Sequence, residues 1–204
     1  MSFTRDANQA IRATLITWII CGLIYPLIMI IFGQIVFPDQ ANGSLITNSR
    51  KQVVGSHLIG QPFTSERYFN GRPSTTNYST ADPRKDESGV LKTGISGASN
   101  LAPSNIALIE RIKGNDGFQG LQTAGIKPTA DLVYTSGSSL DPHITLAAAR
   151  AQIARVAKAR GVQEQKLESL INQNIDGRFL GIFGEPGVNV LKLNLAVDAL
   201  KSGG

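Results

Sequence analysis

Residues Ala13 to Pro38 read ATLITWIICGLIYPLIMIIFGQIVFP, 26 residues without an Asp, Glu, Lys or Arg. At about 1.5 Å per residue, a helix of this length reaches about 39 Å, against roughly 30 Å of bilayer hydrocarbon. The stretch is therefore long enough to span a membrane. A cleaved signal peptide would have a shorter apolar region ending in a small-x-small site. Phe37-Pro38-Asp39-Gln40-Ala41-Asn42 offers no such site. The segment reads as an uncleaved signal-anchor. It divides the chain into an amino-terminal segment 1–12, a transmembrane helix 13–37 and a domain 38–204.

Orientation follows from the flanking charges. Arg5 and Arg12 precede the span, and Arg50 and Lys51 follow it at a distance. The count is a tie, but the amino-terminal pair lies closer to the membrane, and long downstream domains cross largely regardless of charge. The amino terminus is expected in the cytoplasm and the bulk of the chain outside it.

Within the span, Ala13, Thr17 and Cys21 recur every four residues and put small side chains on one helical face. Lipid provides little hydrophobic drive for helices to meet, so a face permitting close backbone approach is a candidate contact surface. Tyr25 continues the spacing. Pro26 lacks an N–H and is expected to kink the helix.

Beyond the span, 18 Lys/Arg face 14 Asp/Glu, a net charge of +4 with no long basic run. That distribution argues against a nucleic-acid partner. Cys21 is the sole cysteine and lies in the span, so neither a disulfide nor a Cys-based metal site is available to the outer domain. Sparse aromatics and 21 glycines favour a loop-rich, mixed α/β or α+β domain over a helical bundle.

Asp39 to Ser44 carries turn chemistry, and Leu45–Thr47 and Gln52–Ser56 read as a hairpin. Gly60 to Asn105 lacks periodicity but contains Phe63, Tyr68, Phe69 and Tyr78, so an ordered loop pinned by aromatics is expected. Asp82–Glu87 within it reads as a solvated tip. Ser104 is expected to cap a helix bearing Ile106, Leu108, Ile109 and Ile112. Leu132–Thr135 reads as a strand. Thr145 caps a helix from Leu146 to Arg160, ended by Gly161. Gln163–Asn172 reads as another helix, Phe179–Phe183 and Val188–Leu191 as strands, and Asn194 as the cap of a last helix.

No phosphate-binding G-x-x-x-x-G-K-[ST] loop and no G-x-S-x-G elbow is present. Lys92-Thr93-Gly94 lacks the S-x-x-K that would give it catalytic meaning. His57 and His143 stand far apart with no metal-ligand spacing around them, so no metal site is expected. Nothing points to catalytic residues.

The ordered motifs resemble one family, the C subunit of the Kdp potassium-transporting P-type ATPase (KdpC). They comprise Tyr25-Pro26-Leu27, Gly33-Gln34, Phe37-Pro38 with Gln40 to Ile46, and Gly55-Ser56-x-Leu58-Ile59-Gly60-Gln61-x-Phe63. Tyr68-Phe69-x-Gly71-Arg72-Pro73-Ser74, Ser96 to Leu101, Asp141 to Thr145, Arg155 to Arg160 and Asn189 to Asp198 extend the likeness over nearly the whole chain. Gly97-Ala98 stands where the family pattern leads one to expect two glycines.

The resemblance implies a single-pass inner-membrane accessory subunit without catalysis of its own. Its partners would be a channel-like potassium-binding subunit, the P-type ATPase catalytic subunit, a small single-span subunit and membrane lipid. Its implied role is assembly and control of the ion-entry side. The alternative is a catalytic chaperone that binds nucleotide with the ATPase subunit and raises its ATP affinity. ATP would then come by way of that subunit, with no tightly bound cofactor. Ser96, Gly97, Ser99 and Asn100 are the candidate nucleotide loop. Ala13, Thr17, Cys21, Tyr25, Phe63, Tyr68, Phe69 and Arg72 are the candidate partner contacts.

Overall fold

The computed structural model describes residues 3–48, 50–80 and 94–200. The expected charged tip Asp82–Glu87 and the Lys92-Thr93 pair lie outside the described residues. The chain forms two compact units, residues 1–45 and 46–204.

The first unit is built on one continuous helix, Phe3–Val36, none of whose most apolar window is covered by the rest of the chain. It begins earlier than the apolar run, because Phe3–Arg12 continues the same helix with a polar turn. Its two α-helical parts, α1 (Phe3–Ile19) and α2 (Tyr25–Val36), are joined by a π-helical turn at Ile20–Ile24. The Tyr25 N–H donates to the Ile20 carbonyl across that wider turn. The turn lies immediately before Pro26, whose ring would crowd the preceding turn of a regular helix. Where the sequence leads one to expect a kink, the helix contains a π turn. A short helix, α3 (Pro38–Ala41), ends the segment.

In the second unit, β1 (Leu45–Thr47) and β2 (Val53–Ser56) form the expected two-stranded sheet. Asn48 closes its turn: its Oδ1 accepts from the N–H groups of Arg50 and Gln52 at 2.9 and 3.0 Å. A long loop follows. After it come α4 (Ile106–Lys113), α5 (Phe118–Thr123) and α6 (Ala130–Val133). Next are β3 (His143–Ile144), α7 (Leu146–Ala151), α8 (Ile153–Arg160) and α9 (Glu164–Gln173). The chain ends in β4 (Ile175–Asp176), β5 (Gly187–Asn189) and α10 (Val190–Ala199).

The three last strands make an antiparallel sheet in the order β3-β5-β4. Its register places His143 opposite Asn189, Ile144 and Ile175 opposite Val188, and Asp176 opposite Gly187. The core gathers Ile144 and Val188 from the sheet with Ala148, Val156, Leu167, Ile171, Leu193 and Val197 from the helices, and Phe69 from the long loop. The architecture is α+β with one amino-terminal helix long enough to cross a membrane.

Several local expectations are corrected. Leu132–Thr135 is not a strand: Leu132 and Val133 belong to the helical turn α6, which buries Asp131 as well as both apolar neighbours. Asn105, not Ser104, caps α4, its Oδ1 accepting from the Ala107 N–H at 2.9 Å. Thr145 caps α7 as expected, but the helix breaks at Gln152 before resuming as α8. Gly161 ends α8 in the left-handed conformation at φ 67°, where a glycine carries no Cβ penalty. Phe179–Phe183 is a tight loop in which only Phe179 and Phe183 pair. β5 ends at Asn189, which caps α10 through the Lys192 N–H, so Val190 and Leu191 are helical. Asn194 lies inside that helix.

Candidate functional site

The long loop is held to the domain by polar side chains as well as by its buried aromatics Phe69 and Tyr78. Asn194 of α10 accepts from the Phe69 N–H at 2.8 Å and donates to the Phe69 carbonyl at 2.9 Å. Gln152 treats Asn70 the same way: its Oε1 accepts from the Asn70 N–H at 2.8 Å and its Nε2 donates to the Asn70 carbonyl at 3.1 Å. The break between α7 and α8 falls at this residue. Arg155, three residues on, donates to the carbonyls of Glu66 and Tyr68 and to the side chains of Asn70 and Gln152. Glu66, Asn70, Gln152 and Arg155 border an open cleft of about 370 Å³ whose lining also includes Thr64, Pro73, Leu121, Ile126 and Leu132.

A second bracket is ionic. Arg72 pairs with Asp131 at 2.9 Å and with Asp141 at 3.2 Å, so one guanidinium joins the loop to α6 and to the approach to β3. Asp131 also accepts from the Thr145 N–H at 2.8 Å. Tyr78, buried and in the left-handed region at φ 55°, donates its hydroxyl to the Arg72 carbonyl. Burial first, and Asp141 second, push the Tyr78 phenol up to about 12. Gly60 and Gly71 make room for that ring. A Cβ on Gly60 would lie 2.5 Å from the ring and 2.8 Å from the Asp141 carbonyl.

His143 extends the ionic chain across the sheet. Its Nε2 lies 2.9 Å from Asp176 on β4, which also receives Lys192 at 3.2 Å. Asp141 stands 3.8 Å from Nδ1, an ion-pair distance, which makes Asp176 the closer partner. Asp141, against the effect of partial burial and with help from Asp176, holds His143 above its ordinary value of 6.5. Burial alone would raise Asp141 and Asp176. Hydrogen bonds from His143, with Arg72 for one and Lys192 for the other, bring both below the ordinary carboxylate value. His57 lies low because it is desolvated and near Lys192. Among the described residues, no group of His, Cys, Asp and Glu is arranged to hold a metal ion.

The residues singled out from the sequence fall into distinct places. Ala13, Thr17, Cys21 and Tyr25 are all exposed on the long helix. Thr17 donates to the Ala13 carbonyl at 2.5 Å, and the π turn separates the Ala13–Thr17 line from Tyr25. Phe63 and Tyr68 stack obliquely at 5.5 Å, and Arg160 lies 4.7 Å over the Tyr68 ring. Phe69 has no exposed surface and is a core residue, so its side chain cannot be a partner contact. Arg72 is occupied by its two carboxylates. The Ser96–Asn100 loop is tied inward: Ser96 Oγ and the Gly97 N–H both donate to the Ser138 carbonyl, at 3.0 Å each. The Gly97 carbonyl in turn accepts from Thr75 and Ser139. That leaves the Gly97 N–H unavailable to a phosphate.

Asp131, Gln152, Arg155 and Asn194 were not legible as site residues. Their signal is a polar side chain at an otherwise apolar helix position, as Asn194 is between Leu193 and Leu195.

The family described as "K+-transporting ATPase, c chain" matches residues 7–199. This chain belongs to the KdpC family. The "Potassium-transporting ATPase KdpC subunit 1" of Nostoc sp. is 70% identical over 98% of this chain and 99% of its own length. A KdpC subunit of Microcystis aeruginosa is 66% identical, covering 98% of each chain. One of Rhodopseudomonas palustris is 44% identical over 97% of this chain and 99% of its own. The family match thus takes in the long apolar helix and both brackets that fasten the KdpC loop.

Proposed function

We propose that this chain is a non-catalytic accessory subunit of an ATP-driven potassium-uptake complex, helping to assemble it and to control its ion-entry side. Its partners on this reading are the channel-like potassium-binding subunit, the P-type catalytic subunit, the small single-span subunit and lipid. The amino terminus is cytoplasmic, and the domain is on the far side of the inner membrane.

The observation that carries the reading is the contrast between the two units. One is a lone apolar helix with no cover from its own chain. In the other, the charged groups of the brackets are engaged with one another instead of converging on an open reaction site. A helix uncovered along its whole apolar length calls for lipid or other helices around it. Arg72, Asp131 and Asp141 act as fasteners of the fold, which suits a rigid accessory body better than an enzyme. The nucleotide-binding alternative has less support, because Ser96 and the Gly97 N–H are spent within the domain.

Topology tests the choice. With Cys21 replaced by Ser, an engineered cysteine at the exposed Gln165 is treated with a membrane-impermeant maleimide on intact cells. Labelling is expected. Protection until the cells are lysed would reject the extracytoplasmic placement and favour contact with cytosolic ATP.

A further inference from the structure

A side chain crosses the three-stranded sheet. β3 and β4 are its two edges with β5 between them, so their backbones lie about 10 Å apart. His143 on β3 nevertheless reaches Asp176 on β4 at 2.9 Å. Gly187, opposite Asp176 on the middle strand, leaves room for the crossing. A Cβ there would stand 3.3 Å from the His143 Cβ and 3.6 Å from its Cδ2, pressing on the ring.

The crossing completes a chain of alternating charges: Asp131, Arg72, Asp141, His143, Asp176 and Lys192. It runs from α6 by way of the long loop to β3, β4 and α10. Arg72 and Lys192 are the permanent cations against three carboxylates, so the charges balance when the imidazole is protonated. The other charged groups close by do not alter that sum. His57, desolvated and near Lys192, loses its proton below its ordinary value, whereas His143 keeps its own above it. Arg178 and Glu185 pair with each other inside the connection between β4 and β5.

The three carboxylates are not held alike. Asp131 meets Arg72 through one oxygen and the Thr145 N–H through the other. Asp141 accepts from the His143 N–H through Oδ1 and from Arg72 through Oδ2. Asp176, 44% exposed, is held by side chains alone, Lys192 on Oδ1 and His143 on Oδ2. When the imidazole gives its proton to water, the ring keeps one N–H. On Nε2 that N–H still meets Asp176, while Nδ1 turns a lone pair toward Asp141 at 3.8 Å. The bond to Asp176 then loses its charge assistance, about half its strength, and one negative charge is left over. Asp176 is the carboxylate with no backbone N–H to keep it, and it sits in β4, an edge strand of two residues.

We propose that His143 is a proton-operated joint: charged, it ties β4 and the connection 177–186 to β3 across the sheet, and neutral, it lets them open locally. The switch belongs to this domain alone and stands whether or not the accessory-subunit reading holds. A histidine joint of this kind responds to the pH of the compartment that bathes it.

Hydrogen exchange on the full chain in detergent tests it, read by mass spectrometry at about pH 5.5 and 8.5, either side of the histidine range, and corrected for the intrinsic pH dependence of exchange. Protection of residues 175–187 should fall about three- to tenfold at the alkaline value. There, urea below the unfolding transition should speed exchange in α9 but not in 175–187, because a local opening exposes little new surface. His143→Gln should show the low protection at both pH values. The midpoint of the loss should coincide with the titration of the His143 ring, followed by NMR of histidine-labelled chain and identified by the signal missing from His143→Gln. Unchanged protection in the parent, a urea dependence equal to that of α9, separate midpoints, or an undiminished pH response in His143→Gln would each overturn the proposal. If His143→Gln folds poorly, the parent's exchange, its urea dependence and the titration of the two histidine rings decide the matter.

Discussion

Asn194 and Phe69 lie 125 residues apart, and the buried Asn194 amide pairs with both backbone groups of Phe69, at 2.8 and 2.9 Å. The same pairing recurs between Gln152 and Asn70, so two consecutive loop residues are bound edge-on by side-chain amides as if by a neighbouring strand. Phe69 and Asn70 therefore have a fixed path without belonging to a sheet.

Replacing Asn194 with Leu should leave the Phe69 N–H and carbonyl unpaired in the core. Each orphaned group costs about 1–3 kcal/mol, so a loss of about 2–6 kcal/mol is expected in urea unfolding of the domain. Asn194→Asp removes the donor and buries an unpaired carboxylate against the Phe69 carbonyl, so it should cost at least as much as Leu. A Leu variant within 0.5 kcal/mol of the parent, on the order of an ordinary surface change, would show that the amide is not structural.

Arg72→Ala should cost about 3 kcal/mol, the low end for breaking a buried pair, because the arginine side chain is 29% exposed. The penalty arises from leaving Asp131 charged without its partner. Adding Asp131→Asn to the alanine variant should recover part of the loss, since the amide still accepts from Thr145 without carrying charge. Arg72→Lys should not match the parent, because an ammonium lacks the planar fork that meets two carboxylates. Thermal melts of these four proteins and of Asp131→Asn alone check the scheme, and additivity of the Arg72→Ala and Asp131→Asn changes would contradict it.

The His143 network predicts a bounded pH optimum. His143 has a raised folded pKa, so its contribution to stability is fully present below 6.5 and is lost as pH rises through the higher folded value. Asp141 and Asp176 have lowered folded values, so theirs is present above 3.8 and is lost as pH falls through the folded values. The domain should be most stable between these limits. His143→Gln should flatten the alkaline side and also weaken the acid side, because His143 helps hold both carboxylates low. Unfolding midpoints measured from pH 3 to 9, a range spanning about both ordinary values, provide the check. An alkaline limb unchanged in His143→Gln would remove His143 as its cause.

What could be read in advance had short range or strong periodicity. Thr145 and Gly161 bracket their helical region correctly because a cap depends on neighbours three or four residues away. The same local logic misassigned Asn194, since an Asn before a helical run and an Asn within one look alike until the residue across from it is known. Leu132–Thr135 failed for a related reason. An apolar triplet fits a strand, but Asp131 must turn inward to meet Arg72 and Thr145, and a helical turn allows that. Gln152 was read as one more helical position. Its role depends on Asn70, 82 residues away.

The amino-acid order alone was enough for the long apolar helix, because the length of an uncharged run is set against bilayer thickness and needs no tertiary partner. It was also enough for the absence of a disulfide, since Cys21 has no second cysteine to meet, and for the aromatic pinning of the long loop. Only the folded chain decided which aromatics pin it, Phe69 and Tyr78 from within, and which strands exist. A two-residue strand such as β3 or β4 has no periodicity to detect and forms because β5 lies between them. Long-range hydrogen bonds and ion pairs join residues whose separation along the chain carries no information about their meeting. The parts that hold this domain together were therefore decided in three dimensions.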